Sequence, residues 1–210
     1  GAYVCTPNPE IVMLARRDPE LRKAIRDAAI VLPDGIGIIW AAEKLRQNIP
    51  QRVAGYDFLV SLLERMEGSV FLFGGKPGTA EKAMDTIRAR FPHVNVAGCH
   101  DGYTGDEAEI VSAIESAHPA LLLVCLGAPK QEKWMAAHRT LSVGLMVGLG
   151  GSIDILAGTV RRAPLWWRER GIEWLYRLIR QPWRIRRQRC LPGFVSAVIA
   201  QQKKLYKRKN

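Results

Sequence analysis

The chain has 210 residues, of which 48% are hydrophobic and 24% charged, with 19 glycines and 12 prolines. This composition is typical of a globular protein and excludes a collagen-like or largely disordered chain. No apolar run approaches the roughly 20 residues that a membrane-spanning helix needs, and the formal net charge is +11.

The positive charge is concentrated at one end of the chain. Residues 161–210 hold 15 lysines and arginines and only two acids, Glu169 and Glu173, whereas residues 1–160 hold 16 bases and 18 acids. A nearly neutral body with a strongly basic tail predicts an anionic partner for the tail alone.

Over residues 1–160, short apolar runs alternate with amphipathic stretches of helical length. The runs are "AYVCT", "AAIVLP", "SVFLFG", "VNVAG", "ALLLVCLG" and "VGLMVGLG". The predicted helices are 9–27, 56–67, 79–91, 106–117 and 130–140. Strands that alternate with helices predict an α/β domain with a Rossmann-like parallel sheet and helices on both faces. Because the chain opens on "GAYVCTPNP", inside a strand-like run, we expect a segment to precede it in the full-length protein.

Residues 161–210 are predicted to form a basic, Trp-rich helical appendage, which Pro164, Pro182 and the Pro192–Gly193 pair divide into short helices. Four of the six tryptophans lie there: Trp166, Trp167, Trp174 and Trp183. A helical spacing places five arginines on one face, Arg170, Arg177, Arg180, Arg184 and Arg187. Ile172, Leu175, Tyr176, Ile179 and Trp183 take the opposite face.

Polar and glycine-rich turns follow all six apolar runs: "TPNPE", "PDGIG", "GGKPG", "HDGYTGD", "GAPKQE" and "GGSID". In a parallel sheet these turns emerge at the carboxyl edge, where doubly wound proteins bind ligands. Several lead directly into helices, whose N-termini suit phosphate. The six turns together predict a site for a nucleotide-type anion.

Each polar residue of these turns has a structural and a functional interpretation. Asp34 is either an N-cap before a helix or a general base. Thr6 and Asn8 are either cap and turn residues or donors to a sugar, and Asp154 either caps a helix or holds a ribose. Gln131 and Glu132 begin a helix, where an acid is expected in any case.

Other chemistries find less support. "GGKPG" lacks the spacing of a Walker loop or a dinucleotide fingerprint, which disfavours a dehydrogenase. The four histidines show no ligand spacing and no Asp-x-Asp pair exists, so no metal is expected. Arginines of the tail are then the natural groups to neutralise a diphosphate. The scattered cysteines are predicted to be free thiols, most of them buried.

The motifs "TPNPEIV", "PDGIG", "RVAGYD", "GAPKQEKW", "GGSIDILAG" and "RAPLWWRERGIEWLYRLIRQPWR" occur in this order from Thr6 to about Arg187. Together they resemble the WecG/TagA/CpsF glycosyltransferases. The resemblance implies an inverting, metal-independent transfer of N-acetylmannosamine from UDP to the 4-hydroxyl of GlcNAc on undecaprenyl diphosphate. The implied product is the β-linked disaccharide lipid of wall teichoic acid, made at the inner face of the cell membrane by a peripheral enzyme.

The resemblance also implies roles for particular residues. Asp34 of "PDG" is expected to deprotonate the acceptor hydroxyl, with Gly35 beside it and Thr6 as the second catalytic residue. Asn8 is expected to line the sugar site with Thr6.

The resemblance also implies further substrate-binding residues. Gln131 and Asp154 are expected to hold the nucleotide, with Tyr103 near uracil. Arg52 of "RVAGYD" is a further candidate, and Arg177, Arg184 and Arg187 are expected to reach the diphosphate from the tail. The sequence departs from the family pattern at Tyr56 and Ile153, and Tyr56 leaves the sugar specificity open.

Several alternatives remain open at this point. Within the family, the alternative donor is UDP-N-acetylmannosaminuronic acid or another UDP-sugar, and the alternative product is a surface polysaccharide or an exopolysaccharide. The tail is expected to bind an anionic membrane surface, but a nucleic-acid-binding protein would use the same charges. A solvated helical face or an oligomer contact would explain the tail without any ligand.

Overall fold

The computed structural model describes residues 1–207. Arg208 and Lys209, which contribute to the charge of the tail, lie outside the described residues together with Asn210.

Six strands form one sheet in which every pairing is parallel. They are β1 (Ala2–Cys5), β2 (Ile30–Val31), β3 (Ser69–Gly74), β4 (Asn95–His100), β5 (Leu121–Cys125) and β6 (Leu145–Gly148), in the spatial order β2-β1-β6-β5-β3-β4. Each predicted apolar run supplies one strand. The predicted α/β class with a Rossmann-like parallel sheet is confirmed.

Twelve α-helices accompany the sheet in the described residues. They are α1 (Pro9–Ala15), α2 (Pro19–Arg26), α3 (Ile36–Lys44), α4 (Gly55–Arg65), α5 (Thr79–Arg90), α6 (Glu107–Ala117), α7 (Lys130–Ala137), α8 (Ser152–Leu156), α9 (Leu165–Glu169), α10 (Glu173–Arg180), α11 (Ile185–Gln188) and α12 (Leu191–Lys207). A single 3₁₀ turn, Pro182–Arg184, joins α10 to α11.

One helix prediction was wrong in detail. The single helix predicted over 9–27 is two helices, because a residue that precedes a proline is disfavoured in the helical conformation, and Asp18 precedes Pro19. The predicted break near Pro192 and Gly193 is present, because α11 ends at Gln188 and α12 begins at Leu191; the pair lies in the first turn of α12, which tolerates proline.

By their packing, the residues fall into two compact units. Unit 1 comprises Gly1–Thr6, Glu20–Val31 and Gly55–Arg161, and unit 2 comprises Pro7–Pro19, Leu32–Ala54 and Arg162–Asn210. Two early segments of the chain are thus grouped with the tail. The separate roles assigned to residues 1–160 and 161–210 stay predictions.

Unit 1 contains the sheet. All five residues of its central strand β5 are buried, which explains why that strand is a continuous apolar run. One face of the sheet carries Phe71, Leu122 and Met146, which pack on Ile114 of α6 and Met135 of α7.

Unit 2 is helical. Phe194 and Val198 of α12 are buried with Ala41 of α3, and partly buried side chains of α1, among them Met13, complete this small core. Gly37 of α3 lies so close to Pro9 of α1 that an added Cβ would come within 2.6 Å of the proline ring. α12, the last helix of the described residues, is therefore packed into unit 2.

Candidate active site

Asp34 lies three residues beyond the end of β2, in a connection fixed by backbone hydrogen bonds. Its amide donates to the carbonyl of Pro7 at 3.1 Å, and the amide of Val53 donates to the neighbouring carbonyl of Pro33 at 2.9 Å. These bonds connect Pro7 of "TPNPE", Pro33 and Asp34 of "PDGIG" and Val53 of "RVAGYD", all of which belong to unit 2.

The residue that caps α3 is Gly35 and not Asp34. Gly35 has a φ of 85°, which an L side chain rarely adopts, and no side-chain hydrogen bond caps the helix. The N-cap interpretation of Asp34 was therefore wrong, because the glycine turn takes that position. The Asp34 carboxyl instead accepts a hydrogen bond from the Gly35 backbone.

Asp34 is half-buried, but the protein atoms around its carboxyl exclude much of the solvent. The pKa of Asp34 is raised from 3.8 to about 6; desolvation is the largest cause, and the positive charges of Arg177 and Arg52 oppose the rise. The negative charge of Glu173 raises the pKa further, while the bond from Gly35 lowers it. A carboxyl with such a pKa is mostly ionised at neutral pH and still basic enough to accept a proton.

The two arginines reach Asp34 from different parts of unit 2. Arg177 belongs to α10, where it forms an ion pair with Glu173 one turn earlier in the same helix. Arg52 lies between α3 and α4, and its guanidinium donates to the backbone carbonyl of Arg168 at 3.5 Å. One early segment and the tail thus supply the charges near Asp34.

The other two predicted tail arginines have different contacts. Arg184 donates to the side chain of Gln181 at 3.0 Å. Arg187 forms an ion pair of 3.1 Å with Glu10 of α1. Neither is among the charges that shift the pKa of Asp34. Of the three predicted tail arginines, the structure therefore brings only Arg177 to that carboxyl.

A second set of predicted residues lies in unit 1, at the carboxyl ends of β1, β5 and β6. Buried Thr6 donates from its hydroxyl to the carbonyl of Gly148 at 3.1 Å. The side-chain oxygen of Gln131 accepts from the Gly150 amide at 2.9 Å, while its nitrogen donates to Glu132 at 2.8 Å. The orientation of the Gln131 amide is thereby fixed, and it braces the glycine-rich turn after β6.

Three further candidates have local roles or positions. Asn8 caps α1, accepting a hydrogen bond from the Ile11 amide at 3.0 Å. Asp154 lies in the first turn of α8, where Gly151 is the cap. Tyr103 is 73% exposed, in a turn that Asp101 closes by accepting from its amide at 2.7 Å.

The sequence interpretation gave no site role to Glu132 or Glu173, the two acidic residues among the buried polar side chains of the described chain. For Glu173 a signal existed: an acid four residues before an arginine is a helical ion-pair spacing. For Glu132 no signal existed. An acid is common in the first turn of a helix, and its hydrogen bond with the adjacent Gln131 leaves no recognisable spacing in the sequence.

Replacing Gln131 with leucine is expected to destabilise the protein by about 2 to 4 kcal/mol, because the Gly150 amide and Glu132 each lose a hydrogen bond in a buried environment. Chemical denaturation measures the change. Gln201→Leu, on the exposed side of α12, is the matched control and should change stability by less than about 0.5 kcal/mol. Equal effects of the two variants would contradict the bracing role.

In residues 1–207, no group of three or more His, Cys, Asp or Glu side chains is placed to hold a metal ion. No helix of that range has the length and apolar character to cross a membrane. The four cysteines are free, and Cys5 and Cys125 are buried.

An open parallel sheet, together with a desolvated carboxyl near two guanidinium groups, is typical of an α/β enzyme that acts on an anionic substrate. The family model of the glycosyl transferase WecG/TagA/CpsF family matches residues 1–208. The chain belongs to this family and is a glycosyltransferase, so the resemblance seen in its motifs is confirmed.

Relatives with assigned activities align along nearly the whole chain. One from Bacillus subtilis (strain 168) is 34% identical over 207 residues, which cover 97% of this chain and 81% of the relative. One from Staphylococcus aureus (strain MRSA252) is 32% identical over 212 residues, covering 99% of this chain and 83% of the relative. Both are named N-acetylglucosaminyldiphosphoundecaprenol N-acetyl-beta-D-mannosaminyltransferase.

Proposed function

We propose that this enzyme transfers N-acetylmannosamine from UDP-N-acetylmannosamine to the 4-hydroxyl of GlcNAc on undecaprenyl diphosphate, with inversion and without a metal. The product is the β-1,4-linked disaccharide lipid from which wall teichoic acid is built. The names of the relatives support the sugar and the acceptor. The observation that carries the proposal is the Asp34 carboxyl, whose pKa is raised to about 6 next to Arg52 and Arg177.

Asp34 acts as the general base. Its carboxylate accepts the proton of the acceptor hydroxyl while that oxygen bonds to the anomeric carbon of the donor sugar. The bond from the anomeric carbon to the diphosphate oxygen breaks, and UDP leaves with the electron pair. A single carboxylate is sufficient for an inverting displacement, and general-base assistance typically contributes about 10²–10⁴-fold.

The departing UDP gains negative charge, which cationic side chains stabilise. Arg177 and Arg52 are the guanidinium groups that act on Asp34, and a guanidinium binds phosphate through two parallel hydrogen bonds. We propose them as the diphosphate ligands, with Arg184 and Arg187 as further tail candidates. Thr6, Asn8, Gly35, Gln131, Asp154 and Tyr103 stay the proposed residues for the sugar and the nucleotide.

The acceptor is anchored in lipid, so we propose that the enzyme works as a peripheral protein on the inner face of the cell membrane. Six large apolar side chains between α9 and α11 are 42% to 67% exposed: Leu165, Trp166, Trp174, Ile179, Trp183 and Ile185. Arginines that are also exposed lie among them, such as Arg180 and Arg186. Exposed tryptophans beside basic side chains are typical of proteins that bind at the headgroup level.

The deciding experiment measures UDP release from several UDP-sugars, with a short-chain lipid-diphosphate GlcNAc as acceptor. We expect release with UDP-N-acetylmannosamine, strict dependence on the acceptor and full activity in EDTA. Release with UDP-N-acetylmannosaminuronic acid or another UDP-sugar instead would favour a surface or exopolysaccharide pathway. Complete loss of activity in EDTA, restored by a divalent cation, would overturn the metal-independent mechanism.

The acidic limb of the pH profile tests the base directly. Because the base must be ionised, kcat/KM is expected to rise with pH through about 6, the pKa of Asp34. The limb is measured with saturating acceptor and limiting donor. A profile that is flat between pH 5 and 7, with chemistry rate-limiting, would contradict the proposal.

A further inference from the structure

Glu173 is buried in the first turn of α10, with 7% of its surface exposed. Taking an ionised carboxylate out of water costs several kcal/mol unless a partner compensates. The partner is Arg177 of the same helix, which donates from Nη2 to Oε1 of Glu173. Burying Glu173 therefore carries a cost in free energy that an exposed acid on this helix would not have. This cost points to a role for Glu173 beyond stabilising the helix.

Four charged side chains of unit 2 interact here. Arg177 and Arg52 are positive, and Asp34 and Glu173 are negative, so the cluster is neutral when both acids are ionised. Glu173 acts on Asp34 in two ways. Its charge repels the Asp34 carboxylate directly, and its ion pair engages the guanidinium that would otherwise attract that carboxylate more strongly.

We infer that Glu173 is a positioning residue of the Asp34 site: through its ion pair it orients Arg177 and engages its charge, so that Asp34 stays basic enough to accept a proton. This inference rests on the proposed role of Asp34 as general base. Without Glu173, two guanidinium groups would face a single carboxylate and stabilise its ionised form. The carboxylate would then be always available but a weaker base.

Glu173→Gln tests this, because glutamine keeps a hydrogen-bond acceptor for Arg177 and removes only the charge. The acidic limb of kcat/KM against pH is expected to move to lower pH by about half a unit or more. The plateau should fall by up to about threefold, since a weaker base gives slower proton transfer. Glu173→Asp keeps the charge and is expected to return the limb toward its original position.

The tail offers a matched control. Glu169, the other acid of the tail, is exposed on α9. Glu169→Gln removes the same charge from the same region and should leave the limb unchanged. A purely structural role of Glu173 would lower the unfolding temperature without moving the limb, and that result would overturn the inference.

Arg177→Gln supplies a test of opposite sign that does not need the Glu173 variants to fold. Removing the positive charge should raise the pKa of Asp34, since Arg177 lowers it. Carbon-13 NMR of the Asp34 carboxyl, in the full chain without substrate, follows this pKa independently of turnover. Unchanged titration of Asp34 in either Glu173→Gln or Arg177→Gln would overturn the inference. An active Asp34→Asn variant would instead refute the proposed base, while the titration would still decide the coupling.

Discussion

Asp34→Asn is expected to lower kcat by about 10²–10⁴-fold, the typical contribution of a general base. Asparagine keeps the size of the side chain and its acceptor for the Gly35 amide, but it cannot take a proton from the acceptor hydroxyl. KM for the donor should change much less than kcat, because the lost interaction is made in the transition state. Steady-state measurements at pH 7.5 separate the two.

The same variant is expected to be more stable than the wild-type enzyme above pH 6. The folded-state pKa of Asp34, about 6, lies above its ordinary value of 3.8. Below about pH 3.8 the carboxyl is protonated in both the folded and the unfolded chain, and the folding free energy is most favourable. As the pH rises through 6 this stability is lost, because the carboxyl ionises more easily in the unfolded chain. The loss amounts to at most about 3 kcal/mol, and asparagine does not incur it.

Thermal unfolding at pH 5 and pH 8 measures this effect. The gain of the asparagine variant should be larger at pH 8, by several degrees for a chain of this length. Asp85→Asn, at an exposed position of α5, is the control and should change neither activity nor stability strongly. A fully active Asp34→Asn variant would exclude Asp34 as the base, and a variant that is inactive and unstable at pH 8 would mean that its carboxylate is structural.

The strands and the class of fold were predictable because each strand is a short, continuous apolar run that ends in glycine or proline. β5 shows why this works: burial on both faces allows only apolar residues, so "LLLVC" stands out. The sequence also contains a signal for the break between α1 and α2, namely Pro19 at the start of α2. The amphipathic pattern on both sides of this proline nevertheless favoured one long helix. Periodicity reports which face is buried and says little about where one helix stops and the next begins.

For the site, the sequence identified residues but not their neighbours. Asp34 was identified because it lies in a polar turn after a strand. Its electrostatic interaction with Glu173 and Arg177 could not be predicted, because these residues lie about 140 positions away in the sequence. The tail's arginines were also treated as one set because of their spacing. The structure separates them, because α10 ends at Arg180 and the 3₁₀ turn at Pro182 redirects the chain.

Removing the exposed apolar side chains of the tail is expected to abolish binding to anionic vesicles. A truncation near Ala163 would not test this cleanly, because it would also remove Phe194 and Val198 from the core of unit 2. The sharper variant is a triple substitution of exposed residues, Ile179→Ser, Trp183→Ser and Ile185→Ser. These side chains are 50% to 67% exposed, so the fold should tolerate the changes, and co-sedimentation with vesicles measures the effect.

The charge contribution is tested separately by Arg180→Gln, Arg186→Gln and Arg189→Gln, all exposed in the tail. At about 1 kcal/mol for each basic residue near an anionic surface, the triple variant should bind about 100-fold more weakly. The control replaces three exposed bases of unit 1, Arg65, Lys82 and Arg88, with glutamine. Equal losses in tail and control variants would show that binding follows total charge and not the tail.

Two other results would point to the alternatives. Unchanged vesicle binding combined with an altered oligomeric state in sedimentation would indicate that the apolar side chains form a contact between copies of the chain. Tight, steeply salt-dependent binding to single-stranded DNA without any lipid preference would favour a nucleic-acid partner.

The tail variants also separate membrane binding from catalysis. None of the six tail positions contributes to the Asp34 cluster, so both triple variants should keep their kcat with a short-chain acceptor in solution. With a long-chain acceptor in vesicles, the apparent KM should rise roughly in proportion to the loss of vesicle binding, because the enzyme meets that acceptor only at the membrane. An equal loss of activity on both acceptors would mean that the exposed tryptophan and its neighbours serve the active site itself.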